Sequence, residues 1–140
     1  MGVTAYGVLS RGLLSGHWSK ERVLGRGDIR SFLPRFSSQN LDRNLGLVET
    51  LRAVGKARQA SVAQVAIAWV LSRGDDIVPL VGARRRDRLS EALGALNLGL
   101  TQEDIARLEE AVPPGAAAGT RYDSHQMSVL DSERGPTTAT

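Results

Sequence analysis

The richest concentration of binding chemistry is Val81-Gly82-Ala83-Arg84-Arg85-Arg86-Asp87-Arg88. It lies between a short apolar run, Ile77 to Val81, and a stretch with Leu89, Ala92, Leu93 and Leu96 at helical spacing. Backbone N–H groups of a helix start, the positive end of its dipole and several guanidinium groups meet there, which is what a phosphate requires. The plainer alternative is a solvated basic helix start, or a contact with an acidic neighbour. A second candidate, Tyr6-Gly7-Val8-Leu9-Ser10-Arg11-Gly12, belongs to an apolar run that begins at Val3. An aromatic ring in that place can stack on a planar ligand while the glycines let backbone N–H groups approach it. A core tyrosine followed by an ordinary turn is the alternative.

Other chemistries have less to work with. The chain has no cysteine, which excludes a disulfide scaffold, a thiolate zinc site and a cysteine nucleophile. His17 and His125 lie far apart with no further ligand at metal spacing, so no metal site is expected. Asp75-Asp76 reads as a turn before the second apolar run, and no GxSxG, P-loop or post-strand GxGxxG occurs. Trp69 is expected in the core. Trp18 sits in an irregular stretch where it could face a ligand.

The elements that must position these residues follow from periodicity. Val3 to Leu9 and Ile77 to Val81 read as buried strands, and the sequence between them is too long for a hairpin. Gly16 to Asn40 reads as one long loop. Leu41, Leu45, Val48, Leu51 and Val54 then define an amphipathic helix that fades near Gly55 to Gln59. Ser61-Val62-Ala63-Gln64 has the form of a capping box opening a nearly all-apolar helix, which Arg73-Gly74 ends. Thr101, with Glu103 and Asp104 behind it, opens a last helix that stops at Pro113-Pro114. The expected organisation is therefore an α/β body over residues 1–114 and a loose tail over 115–140. The pattern is a parallel β-α-β with about four helices. A parallel sheet with so few strands has open edges, so it reads as a piece of a larger sheet or barrel.

Composition narrows the class further. The 140 residues are 41% hydrophobic and 24% charged with a formal net charge of +3, which is not a disordered chain. No apolar run is long enough to cross a membrane, and no leader-like segment opens the sequence, so a cytoplasmic protein is expected.

Taken together, these residues resemble the C-terminal part of the aldo-keto reductase superfamily, NADPH-dependent enzymes built on a (β/α)8 barrel. Tyr6-Gly7-Val8-Leu9-Ser10-Arg11-Gly12-Leu13-Leu14-Ser15-Gly16 is similar to the seventh strand and its loop. Pro34-Arg35-Phe36 with Asn40-Leu41 and Asn44-Leu45 resembles a segment of bacterial members. Ser61 to Leu71 is similar to the seventh helix, and Ile77 to Arg85 to the eighth strand and its turn. The resemblance implies that Tyr6 stacks on a nicotinamide ring and that Leu9, Ser10 and Arg11 form the pyrophosphate loop. It assigns Gly82, Ala83, Arg84 and Arg88 to the 2′-phosphate and adenine of NADP, with Glu91 near the adenine amine. Departures from the family pattern at Gly7, Val8, Ala83 and Ala92 each remove a side-chain hydrogen bond or a rigid turn, at about 1–3 kcal/mol per lost polar partner.

The same resemblance places the catalytic Asp, Tyr, Lys and His on strands preceding Met1, so no catalytic residue is expected here and Tyr6 is not the catalytic tyrosine. A barrel takes roughly 250 residues, so this chain is expected to be an incomplete barrel, inactive alone. Its expected partners are a small carbonyl substrate and a complementary N-terminal half, with no nucleic acid and no membrane. The rival reading is a non-catalytic basic module binding nucleic acid or a partner protein. Against it, Asp75, Asp76, Asp87, Glu91, Glu103, Asp104, Glu109 and Glu110 interrupt any basic face, and no aromatic residues interleave with the arginines.

Overall fold

The computed structural model describes residues 1–130. In chain order they form β1 (Val3–Ala5), α1 (Ser38–Ala57), α2 (Val62–Leu71), β2 (Ile77–Pro79), α3 (Arg86–Gly94), α4 (Gln102–Ala111) and a short α5 (Ser124–Ser128). The strands pair in parallel, with Val3 opposite Ile77, Thr4 opposite Val78 and Ala5 opposite Pro79. Parallel pairing across a helical crossover is what the two apolar runs imply, and the fold is α/β.

Both strands are shorter than those runs. β1 stops at Ala5 instead of reaching Leu9, because Gly7 takes φ +74 and its carbonyl accepts from Ser10 N–H, turning the chain into a tight coil over Ser10–Ser15. β2 stops at Pro79 because its partner turns away: Leu80 N–H still donates to the Ala5 carbonyl at 2.9 Å, and beyond Ala5 no strand remains to pair with. The expected burial of the strands is also corrected: Val3, Val78 and Leu80 are 51%, 55% and 49% exposed. Ala5 and Val81 pack toward Ile67 of α2 and Ala92 of α3, and the pleat sends Val78 and Leu80 the other way, where no described element covers them.

The helices are set by their starts. The Ser61 hydroxyl accepts from Gln64 N–H and the Gln64 side chain accepts from Ser61 N–H at 2.9 Å, so the capping box of α2 is complete. Thr101 and Asp104 do the same for α4. The apolar stripe of α1 buries Val48, Leu51 and Val54, which with Val62, Val65, Ala66 and Leu108 build the main core. Burying each such aliphatic side chain contributes about 1.5–3 kcal/mol. Trp69 lies half-buried against this core, with Arg73 over its ring.

The stretch from Gly16 to Asn40, expected as plain loop, contains single-turn helices at Ile29–Phe32 and Pro34–Phe36 and a small core of its own. Leu13, Trp18, Leu33, Phe36 and Leu41 form that core. Trp18 therefore does not face a ligand. It is 7% exposed, tilted against Phe36 at 4.9 Å, with the Arg22 and Arg30 guanidinium groups over its ring. The segment from Gly115, expected as a loose tail, is tied down at Ala118. The Asn44 side chain accepts from Ala118 N–H at 2.7 Å and donates to the Ala118 carbonyl at 2.9 Å. The tail residues Gly135 to Thr138 lie outside the described residues.

Candidate functional site

Both candidate stretches follow the C-terminal ends of strands, and parallel pairing sets those ends side by side. Between them opens a cavity of about 590 Å3 lined by Tyr6, Leu9, Arg11, Gly82, Arg88 and Glu91, with Val8, Ala63 and Ile67 among its apolar residues. Ser10 does not line it. Ser10 lines an adjoining cavity of about 290 Å3 that shares Tyr6, Gly7 and Arg11 with the first. Ala83 and Arg84 line neither and stand exposed between β2 and α3.

The loop after β1 is held in an uncommon conformation. Ser10, Arg11 and Gly12 take φ values of 45°, 55° and 95° in succession. Left-handed backbone at a non-glycine residue costs about 1–3 kcal/mol and persists only where surroundings impose it. Here Gly12 N–H and Leu14 N–H both donate to the Leu9 carbonyl, Ser15 Oγ donates to the Gly12 carbonyl, and Arg30 donates to the Arg11 carbonyl. Tyr6, which starts the loop, is 67% exposed, so its ring is available for stacking.

The start of α3 is open in the way an anion site needs. Its N-cap residue, Arg85, is extended and makes no side-chain cap hydrogen bond to the helix. Arg85 instead pairs with Asp87 through bonds of 2.9 and 2.8 Å, which hold the Asp87 carboxyl below its ordinary range. Arg84 has no ion pair among the described residues.

Arg88 and Glu91 form a third group. Arg88 donates to Glu91 at 2.9 Å and also to His17 Nε2, and His17 lies 3.7 Å from the second Glu91 oxygen. Burial opposes charge on Glu91, yet hydrogen bonds from Ser61 and Arg88, with the nearby Arg88 and His17, outweigh it and hold the carboxyl below its ordinary range. The Gln64 side chain donates to the Glu91 carbonyl and so locks α3 onto the start of α2. His17 is the residue that sequence reasoning missed. It stands 71 positions from Arg88, and nothing in its local sequence points to the pairing.

The cavity thus offers the aromatic face of Tyr6 and the guanidinium groups of Arg11 and Arg88, which are groups that bind and orient an extended anion. Among the described residues no cluster of His, Asp or Glu comes together to hold a metal ion, and no helix is long and apolar enough to cross a membrane.

Comparison with known proteins gives this geometry a context. Probable aldo-keto reductase 1 of Glycine max is 38% identical over 122 residues, covering 87% of this chain and 35% of that protein. Aldo-keto reductase yakc of Schizosaccharomyces pombe, whose name specifies NADP(+), is 32% identical over 120 residues, covering 86% of this chain and 35% of its own length. The solved glycerol dehydrogenase of Gluconobacter oxydans superposes with a TM-score of 0.72 at 30% identity, over 79% of this chain and 33% of that one. The chain therefore spans about a third of the length of these relatives. The model of the aldo/keto reductase family matches residues 1–113, and the chain belongs to that family of oxidoreductases.

Proposed function

We propose that this chain carries the dinucleotide-binding side of an NADP-dependent aldo-keto reductase that converts aldehydes or ketones to alcohols in the cytoplasm. In this reading β1 and β2 are the last two strands of a (β/α)8 barrel, and the chain is the C-terminal part of that barrel. The observation that carries it is the cavity between the two strand ends, where Tyr6, Leu9, Arg11, Gly82, Arg88 and Glu91 converge although the two groups are far apart in sequence. Phosphate sites of parallel barrels lie at this place.

The residues suit the dinucleotide. Tyr6 presents its ring at the cavity, and the loop Leu9-Ser10-Arg11 brings the Arg11 guanidinium to a pyrophosphate. The uncapped start of α3 with Gly82, Ala83 and the unpaired Arg84 suits a 2′-phosphate, with Arg88 beside it and Glu91 toward an adenine amine. When bound, the dinucleotide supplies the hydride for carbonyl reduction. The proton donor and its tuning residues, Asp, Tyr, Lys and His, come in this reading from strands outside this sequence, carried by the rest of a longer polypeptide or by a complementary chain. The isolated chain then binds NADP without turning over a carbonyl. The nucleic-acid reading has less support, because Asp87 and Glu91 engage Arg85 and Arg88.

The test is a fluorescence titration of the full chain with NADPH and with NADH. NADPH is expected to bind roughly tenfold or more tightly than NADH, the worth of one charge-assisted contact, and Arg84→Gln is expected to remove that preference. Equal affinity for the two dinucleotides, or no binding of either, overturns the reading.

A further inference from the structure

The adjoining cavity of about 290 Å3 has a different chemistry from the first. Leu13, Leu33, Phe36, Leu47, Leu51 and Val112 make much of its wall, drawn from the loop core, α1 and the end of α4. The tail closes it: Ala117, Arg121 and Tyr122 line it because Asn44 pins Ala118 beside α1. Its charge is one-sided. Arg11, Arg35 and Arg121 line it, and no aspartate or glutamate does among the described residues. Arg11 rests over the Tyr122 ring at 5.1 Å, and Arg35 Nε donates to the Gly119 carbonyl at 3.3 Å. Both of these partners are uncharged, so the two cations face the cavity without a balancing carboxylate. Asn44 also lines the cavity, but its amide is committed to Arg35 and Ala118 carbonyls and to Ala118 N–H. The remaining side-chain polar groups at the cavity, Ser10, Tyr6 and Tyr122, can all donate to an anion.

We infer that this cavity binds an amphipathic carboxylate: a small apolar body against Leu47, Leu51 and Phe36, with the carboxylate at the lip formed by Arg11 and Arg35. The planar guanidinium fork matches a carboxylate, and the apolar wall offers nothing to a fully hydrated anion such as sulfate. The volume lies near the lower end of the ~300–1,000 Å3 common for small-molecule sites, so the ligand is small. Because Tyr6 and Arg11 form part of both cavities, the bound acid lies beside the first cavity, where it can be either a carbonyl substrate bearing a carboxylate or an effector of the same chemistry. The binding itself does not depend on the dinucleotide reading.

The experiment is calorimetry on the full chain, without any dinucleotide, using phenylbutanoate, the uncharged phenylbutanol and the cationic phenylbutylamine. Leucine methyl shifts in NMR locate the ligand. The acid is expected to bind roughly tenfold or more tightly than the alcohol, in line with a hydrogen bond to a charged group, and the amine is expected not to bind. Arg35→Gln is expected to lower the acid to the affinity of the alcohol. Leu47→Trp, which fills the cavity from α1, is expected to abolish binding while the circular dichroism is unchanged. Equal affinities for acid and alcohol, full binding by the Leu47→Trp protein, or shifts confined to methyls away from Leu47 and Leu51 each overturn the inference. Repeating the titration with saturating NADPH separates the two roles: competition for the shared wall marks an effector, and joint binding marks a substrate.

Discussion

The helical layer and the strand ends obey different rules. Where α1, α2 and α4 meet, Val48, Val54 and Val65 are 2%, 1% and 0% exposed, and α2 and α4 are capped by side chains of their own sequence. At the strand ends Val78 and Leu80 are about half exposed, β1 and β2 have one partner each, and the loop after β1 sits in left-handed backbone. Stability is concentrated in the first region and binding groups in the second.

The sharpest way to break this comparison is Leu108→Ala. Leu108 joins α4 to the main core, and its truncation is expected to cost about 2–5 kcal/mol in chemical denaturation. A loss below about 1 kcal/mol would place the stability elsewhere. Asn44→Ala comes next. It orphans the buried Ala118 N–H, with an expected cost of about 1–3 kcal/mol and faster hydrogen exchange at that amide. Ser61→Ala removes the α2 cap and is expected to cost about 0.5–2 kcal/mol, measured by the thermal midpoint. Val78→Thr, at the strand end, is expected to stay within about 0.5 kcal/mol, and a larger loss would show that the exposed strand face is covered in solution.

The smallest effect is a change in pH dependence. The Glu91 carboxyl is held below its ordinary 4.5 in the folded chain, so its contribution is present above the unfolded value and is lost as pH falls through the folded one. Glu91→Gln is expected to flatten the acid limb of stability below about pH 4.5 while leaving neutral pH little changed in slope. An unchanged acid limb would show that Arg88 and His17 do not hold the carboxylate.

Which features the sequence discloses depends on how local their causes are. The capping boxes at Ser61 and Thr101 are legible because every atom involved lies within one turn. The α1 stripe from Leu41 to Val54 is legible because burial follows the helical period. The strand limits are less so, since Val8 and Leu9 are as apolar as a strand requires and only the turn at Gly7 removes them. The core around Trp18 leaves no periodic trace because Leu13, Trp18, Leu33 and Phe36 come from irregular backbone. Asn44 reads as an ordinary polar helix residue, and its partner Ala118 stands 74 positions away.

Sequence alone therefore determined the capped starts of α2 and α4, the parallel β-α-β order and where the two candidate stretches lie, because each rests on spacing within a few residues. Only the tertiary structure decided that the two stretches face one cavity, that Arg88 is engaged by Glu91 and His17 while Arg84 stays open, and that Trp18 is core. The first depends on the register of β1 against β2, the His17–Arg88 contact spans 71 positions, and Trp18 is buried by residues brought together from irregular backbone. Such long-range placement is set by how the helices pack on the strands, which no local run of residues specifies.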